Sequence, residues 1–309
     1  MATRLLVVAD LHYPSRPRRV WGLLRLLENC SVNALVLAGD FLDVPTSRYA
    51  GKFLGLLRRS YRGPVYVVWG NHEHYLTRNR LRSGWDSFEQ LERLRMLLAS
   101  YGVTVLDEEG PVRIGDVSLA GAVGWYDYRC GPGGYTVEDY ERCNPLGAPL
   151  TVIRGCEHGI GMASGCPPWW WNDCLYVRLP VSNEAYARLN AARIAEQVHR
   201  ARDPVVVVLH HVPLCELLLY SGGLQDFLHA YSGTSLIGEV LGKLVQRDGR
   251  RILLVAYGHV HERSRSGLAR VNGIWYLNAY PEHPLDPGYA MVTIDADSEW
   301  RVEVQRLRA

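Results

Sequence analysis

Lysine is almost missing from this chain. Lys52 and Lys243 are its two examples, although Lys and Arg together number 34. Such a bias is compatible with genome composition or with a hot habitat and does not choose between them. A strong excess of either charge is also lacking. The formal net charge is +2, which argues against a general nucleic-acid binder. No apolar run is long enough to cross a bilayer. The N-terminal MATRLLVVADLH runs straight into a strand without the layout of a signal peptide, which leads us to expect a cytoplasmic protein with no membrane partner. No internal repeat is visible. Seven cysteines are present but no CxxC pair, so a zinc knuckle is not expected. Cys30 and Cys215 read as ordinary small apolar residues. Cys130, Cys143, Cys156, Cys166 and Cys174 crowd one loop-like region. They are thiols in a mesophilic cytosol, and disulfides become reasonable in a hyperthermophile.

What is present is a repeated piece of punctuation. RLLVVAD ends on Asp10, ALVLAGD on Asp40, VYVVWGN on Asn71, VVVVLH on His210 and ILLVAYGH on His259. Each run is short, rich in Val and Leu, and closed by a polar residue. Such runs read as strands buried on both faces. Ligands of a parallel sheet gather beyond the strand ends, so these five polar tips are candidates for one shared site.

Strands are expected at 4–9, 33–38, 64–69, 204–209 and 252–256, and helices at 16–29, 47–60, 85–101, 182–200 and 235–247. Segments 103–106, 112–114 and 117–122 read as short strands of an antiparallel extension. GIWYLNAY, YAMVTID and WRVEVQRL read as consecutive antiparallel strands. Residues 126–180 are rich in Gly, Pro, Cys and aromatics and lack periodicity. They read as an insertion or cap on a single domain spanning 1–309. The irregular stretch 213–234 follows His210 directly and is expected to border the same site.

In chain order the motifs are Asp10-Leu-His12, Gly39-Asp40-Phe-Leu-Asp43, Gly70-Asn71-His72-Glu73, His210-His211 and Gly258-His259-Val-His261. Carboxylate, imidazole and amide oxygen together suit Mn, Fe, Zn or Ni. They are too many for one tetrahedral ion and enough for two. This set, from residue 4 to about residue 280, resembles the calcineurin-like metallophosphoesterases, whose pattern is DxH, GDxxD, GNH(D/E), H and GHxH.

The resemblance implies a four-layered α/β/β/α sandwich of two mixed sheets flanked by helices. It also implies two divalent metal ions, manganese favoured. Asp10, His12 and His261 would hold the first ion, Asn71, His210 and His259 the second, and Asp40 would bridge them. A metal-bridging hydroxide would then attack a phosphomonoester or phosphodiester. His72 matches the histidine that protonates the leaving group or stabilises phosphoryl charge, and Asp43 the acid that orients it. Of the adjacent pair, His210 follows the apolar run directly and is preferred over His211. His259 and His261 would face one side of an extended segment. The expected partner is a small phosphoester, with nucleotides among the candidates and a homo-oligomer as a further option. A DNA nuclease, or a non-catalytic scaffold of the same fold, are the alternatives.

Other residues invite plainer readings. His74 reads as a surface-loop histidine. Glu157, His158, His199, His229 and His283 read as solvated or hydrogen-bonded. Trp125-Tyr126-Asp127 is either a wall of the site or core packing. Trp169, Trp170 and Trp171 read as a clamp or a subunit contact, with stacking on a nucleobase as the sharper option. Arg16, Arg18 and Arg19 read as a solvated helix start rather than a phosphate contact, and Arg263 and Arg265, just past the last motif, as similar candidates.

Overall fold

The computed structural model describes residues 2–142, 171–222, 224–261, 264–295 and 300–308. In chain order the elements are β1 (Thr3–Val8), α1 (Pro17–Asn29), β2 (Ala34–Ala38), α2 (Ser47–Ser60), β3 (Val65–Val68), α3 (Arg78–Arg82), α4 (Ser87–Ser100) and β4 (Val103–Val105). Then come α5 (Leu106–Glu109), β5 (Val112–Ile114), β6 (Val117–Ala122), α6 (Val137–Glu141), α7 (Asp173–Tyr176), α8 (Asn183–Arg200) and β7 (Val205–Leu209). The chain closes with α9 (Ser235–Asp248), β8 (Ile252–Tyr257), β9 (Leu268–Val271), β10 (Ile274–Asn278), β11 (Tyr289–Asp295) and β12 (Arg301–Leu307).

Local chemistry sets the helix ends. Pro17 opens α1, where its missing N–H costs nothing. Asp86 and Glu89 form a reciprocal capping box on α4. Gly249 ends α9 in the left-handed conformation, φ 63°.

Among the described residues the strands form two six-stranded sheets, ordered β12-β11-β1-β2-β3-β4 and β5-β6-β7-β8-β10-β9. Alternation along β1 shows how they stack. Leu5 and Val7 enter a core shared with Val206, Val208, Leu254 and Ala256 of the other sheet. Leu6 and Val8 point the other way, into a core with Leu23 of α1 and Phe53 and Leu57 of α2. On the far side, Val205 and Val207 pack with Ile194 of α8 and Leu241 of α9. The result is helix, sheet, sheet, helix, with both sheets mixed.

Three expectations change. Segments 103–106 and 117–122 do not share one antiparallel extension. β4 pairs parallel to β3 in the first sheet, while β5 and β6 form an antiparallel pair in the second. Of the C-terminal strands, β11 and β12 are antiparallel neighbours as expected, but β10 and β11 are not neighbours. β10 lies parallel to β8, and the chain then crosses sheets so that β11 pairs antiparallel with β1 and β12. Burial makes both choices look alike in sequence, because strand period reports faces and not partners. Thirdly, Cys215 is not an ordinary apolar residue but forms a disulfide with Cys130, 85 residues away. β6 and β7 pair in parallel, so the loops leaving them emerge at the same edge, and this adjacency is invisible in the linear chain. Cys174 is also disulfide-bonded, and Cys30 is a free thiol. Cys143, Cys156, Cys166, Glu157, His158, Trp169, Trp170 and Arg263 lie outside the described residues. Among the described residues no helix is long and apolar enough to cross a membrane.

Candidate metal centre

β1, β2, β3, β7 and β8 all end on the same edge, and their polar tips converge there. Asp10, Asp40, Asn71, His210 and His259 are all buried. The backbone is forced to aim them: Asp10, His12, Asp40, His259 and His261 have φ of 56°, 47°, 50°, 69° and 45°. Non-glycine residues avoid that region, and such strain concentrates at functional sites. The His259–His261 segment is therefore not extended as expected. Both residues turn left-handed, and both imidazoles still reach the cluster.

The motif glycines have a steric role. Gly39 has φ 80°, and a Cβ there would strike the His210 ring. A Cβ on Gly70 would strike the carboxylate and amide of Asp40. Each glycine lets a neighbouring strand's functional side chain lie flat against backbone.

Two groups of donors result. In one, His261 Nε2 is 3.2 Å from Asp10 Oδ1 and His12 Nε2 is 3.8 Å from the same oxygen. In the other, His210 Nε2 lies 3.4 Å from Asp40 Oδ2, 3.1 Å from Asn71 Oδ1 and 3.2 Å from His259 Nδ1. Asp40 Oδ2 also stands 3.8 Å from His12 Nε2, so one carboxylate lies between the groups. Asp10-His12-His261 and Asp40-His210-His259 each bring three donor atoms within 4.8 Å of one another, and so does His12-Asp43-His72 beside them.

The donor set fits divalent cations. His12 Nε2 is buried without a hydrogen-bond partner among the described residues, yet it faces two carboxylates at 3.8 Å. That gap is too wide for a hydrogen bond and right for donors that each reach a small ion at about 2.0–2.2 Å. Second contacts orient the rings: His210 Nδ1 meets Ala38 O at 2.9 Å and His259 Nε2 meets Tyr231 O at 3.2 Å.

Electrostatics agree. Burial pushes the Asp40 carboxyl up, but His210 and His72 outweigh it and hold it well below its ordinary range. Burial likewise raises Asp10, and His261 overrides it downwards. His210 loses from burial yet is pushed up to about 9 by Asp40, and His72 up to about 10, again chiefly by Asp40 against burial. Without cations the carboxylates hold protons on His210 and His72, whereas burial holds His12 below its ordinary range.

His72, half-buried, and Asp43, buried, stand beside the two groups. His72 Nδ1 is 3.2 Å from Asp43 Oδ1, and its Nε2 is 3.8 Å from Asp40 Oδ2. Asp43 Oδ1 also lies 3.6 Å from His12 Nδ1, and Ser15 Oγ donates to Asp43 Oδ2. His211 is buried behind His259, ring centroids 4.3 Å apart, with Nδ1 on Val123 O at 3.2 Å. The two neighbouring imidazoles are thus sorted: His210 faces Asp40 and Asn71, and His211 faces Trp125 and Tyr126.

Sequence reasoning assigned no role to several supports. Glu73 is buried and accepts from the N–H groups of Asp40 (2.9 Å), Leu42 (2.9 Å) and Gly70 (2.8 Å), tying the Asp40 and Asn71 loops together. Asp173 accepts from Asn71 Nδ2 at 2.7 Å. His74 is not a surface residue. It is fully buried between Trp125 and Tyr186, with Nδ1 on Gly70 O at 2.7 Å, because the turn after Asn71 folds inwards. Arg19 is not solvated either. It is buried, donates to Asp10 O at 2.7 Å and pairs with Glu282 at 2.6 Å, so it braces the Asp10 loop. Arg16 and Arg18 are exposed, and Arg265 Nε binds Leu218 O at 3.0 Å. Trp125 is fully buried, which makes it packing behind the site. Trp171 stacks on Tyr231 at 5.4 Å and meets His259 edge-on at 5.4 Å.

The family model for calcineurin-like phosphoesterases matches residues 3–263, and the chain belongs to that family. No curated protein matches the sequence. Among solved structures, phosphopantetheinyl hydrolase (PptH) from Mycobacterium tuberculosis aligns with a TM-score of 0.62 at 18% identity, covering 91% of this chain and 90% of that one. A dimetal phosphatase from Danio rerio aligns with a TM-score of 0.48 at 14% identity, covering 98% and 96%. The first of these shares the sandwich fold.

Proposed function

We propose that the protein hydrolyses a small phosphoester using two divalent metal ions at the strand ends. Asp10, His12 and His261 would hold one ion, Asn71, His210 and His259 the other, and Asp40 would reach both. Manganese is the first ion to try, since carboxylate, imidazole and amide donors suit it. The bound pair would supply the positive charge that draws in the phosphate and makes a water nucleophilic.

The observation that carries this reading is the place of Asp40. A single buried carboxylate oxygen lies 3.4 Å from His210 Nε2 and 3.8 Å from His12 Nε2, between the two donor groups. His72 supplies the proton. Asp43 engages its Nδ1, which leaves Nε2 facing the pocket to carry a proton to the leaving oxygen. Its affinity for that proton, raised by Asp40 and Asp43, falls when positive charge enters.

The test is a substrate panel. Purified protein with added Mn²⁺ is offered p-nitrophenyl phosphate and bis-p-nitrophenyl phosphate. Hydrolysis that chelator abolishes and Mn²⁺ restores is expected, and Asp40→Ala should lose both activity and metal. Protein that retains metal yet hydrolyses neither ester would turn the reading towards a scaffold.

A further inference from the structure

Asn71 differs from the other candidate donors because its amide has two ends. The oxygen is a metal donor and the nitrogen is not, and nothing in the side chain itself decides which end faces the pocket. In this protein the decision comes from a distant part of the chain. Asn71 Nδ2 donates to Asp173 Oδ1 at 2.7 Å and to Tyr75 OH at 3.1 Å. Tyr75 OH donates to the same Asp173 oxygen at 2.8 Å. The nitrogen is thereby tied back, and Oδ1 is left 3.1 Å from His210 Nε2.

Asp173 lies in α7, 102 residues from Asn71, in the part of the chain read as an insertion. It is buried, as are Asn71 and Tyr75. α7 is pinned to the body next to the site. Leu76 N donates to Tyr176 O at 2.8 Å, the Tyr75 and Tyr176 rings lie 5.4 Å apart, and Cys174 is disulfide-bonded. A buried carboxylate costs folding energy unless it is well paired. Here the short hydrogen bonds come from one amide and one phenol, both beside the candidate centre, while Trp171 and Tyr126 also act on the carboxylate.

We propose that Asp173 is a positioning residue that orients the Asn71 amide and so sets the affinity of the second metal site. Resting on the two-metal reading above, this couples the segment carrying α7 to the occupancy of one ion and leaves the Asp10-His12-His261 site unaffected. Groups that orient metal donors are commonly worth about 10- to 100-fold in metal affinity.

The experiment is a titration of the metal-free full chain with Mn²⁺, followed by calorimetry and by the electron paramagnetic resonance signal of bound Mn²⁺. The wild-type chain, Asp173→Ala and Asp173→Asn are compared. Wild type is expected to take up two ions with a spin-coupled signal. Asp173→Ala should bind the first ion as before and the second about 10- to 100-fold more weakly, leaving an uncoupled mononuclear signal at intermediate Mn²⁺. Asp173→Asn keeps an oxygen where both donors point and should restore the second site. Should Asp173→Ala fail to fold, Asp173→Ser, whose hydroxyl is too short to reach Asn71, carries the same expectation. Two equally tight ions in a folded Ala or Ser variant would overturn the proposal, as would equal weakening of both. A wild-type chain that takes up fewer than two ions would instead refute the two-metal reading.

Discussion

His72 Nδ1 lies 3.2 Å from Asp43 Oδ1, and this contact fixes which imidazole nitrogen faces the candidate centre. His72→Ala should therefore keep both metals and lower turnover by roughly 10²–10⁴. Metal analysis beside steady-state kinetics checks it, and loss of metal in this variant would mean that His72 is a ligand.

Asp43 should behave differently, because the same carboxylate oxygen also lies 3.6 Å from His12 Nδ1. Asp43→Ala is expected to slow turnover and also to weaken the Asp10-His12-His261 site by about 10- to 100-fold. A variant slow in turnover but with unchanged metal affinity would limit Asp43 to His72.

Metal affinity should rise with pH. His210 is pushed up to about 9 in the metal-free protein, and its Nε2 must lose a proton before it can bind an ion. Below that value affinity should fall about tenfold per pH unit for each proton displaced, and it should level off near pH 9. Calorimetry between pH 6 and 9, in buffers of different ionisation enthalpy, measures both the slope and the protons released. Affinity that is flat from pH 6 to 8 would contradict the expectation.

Gly70→Ala tests the steric reading. Its Cβ would push against the Asp40 carboxylate and amide. Displacing that group should cut turnover by about 10²-fold or more and lower metal content. Circular dichroism should show the fold retained, and full activity in this variant would mean that the loop gives way.

The Cys130–Cys215 bridge closes a separation of 85 residues. Cys215→Ser should lower stability by about 2–4 kcal/mol. Urea unfolding without reductant measures this, and an unchanged midpoint would contradict it.

Much of this architecture is legible in the sequence. β2, β3, β7 and β8 are buried at nearly every position, so each appears as an unbroken apolar run with a functional residue at its end. α2 falls on the expected residues 47–60. The candidate donors are legible because each strand end carries its own motif. Other features had no such signal. Whether β11 joins β10 or β1 depends on partners that a buried strand does not declare. Asp173 sits in an aperiodic segment and touches Asn71 through tertiary packing alone. Cys215 resembles any small core residue until the loop after β6 is placed beside it. Arg19 looks solvated because its partner Glu282 is remote in sequence.

The most direct test of the two-metal centre is anomalous diffraction from crystals of the Mn²⁺-loaded protein. Two peaks roughly 3.5–4 Å apart are expected, one beside Asp10, His12 and His261 and one beside Asn71, His210 and His259, with Asp40 between them. A single peak, or peaks away from Asp40, would contradict the account.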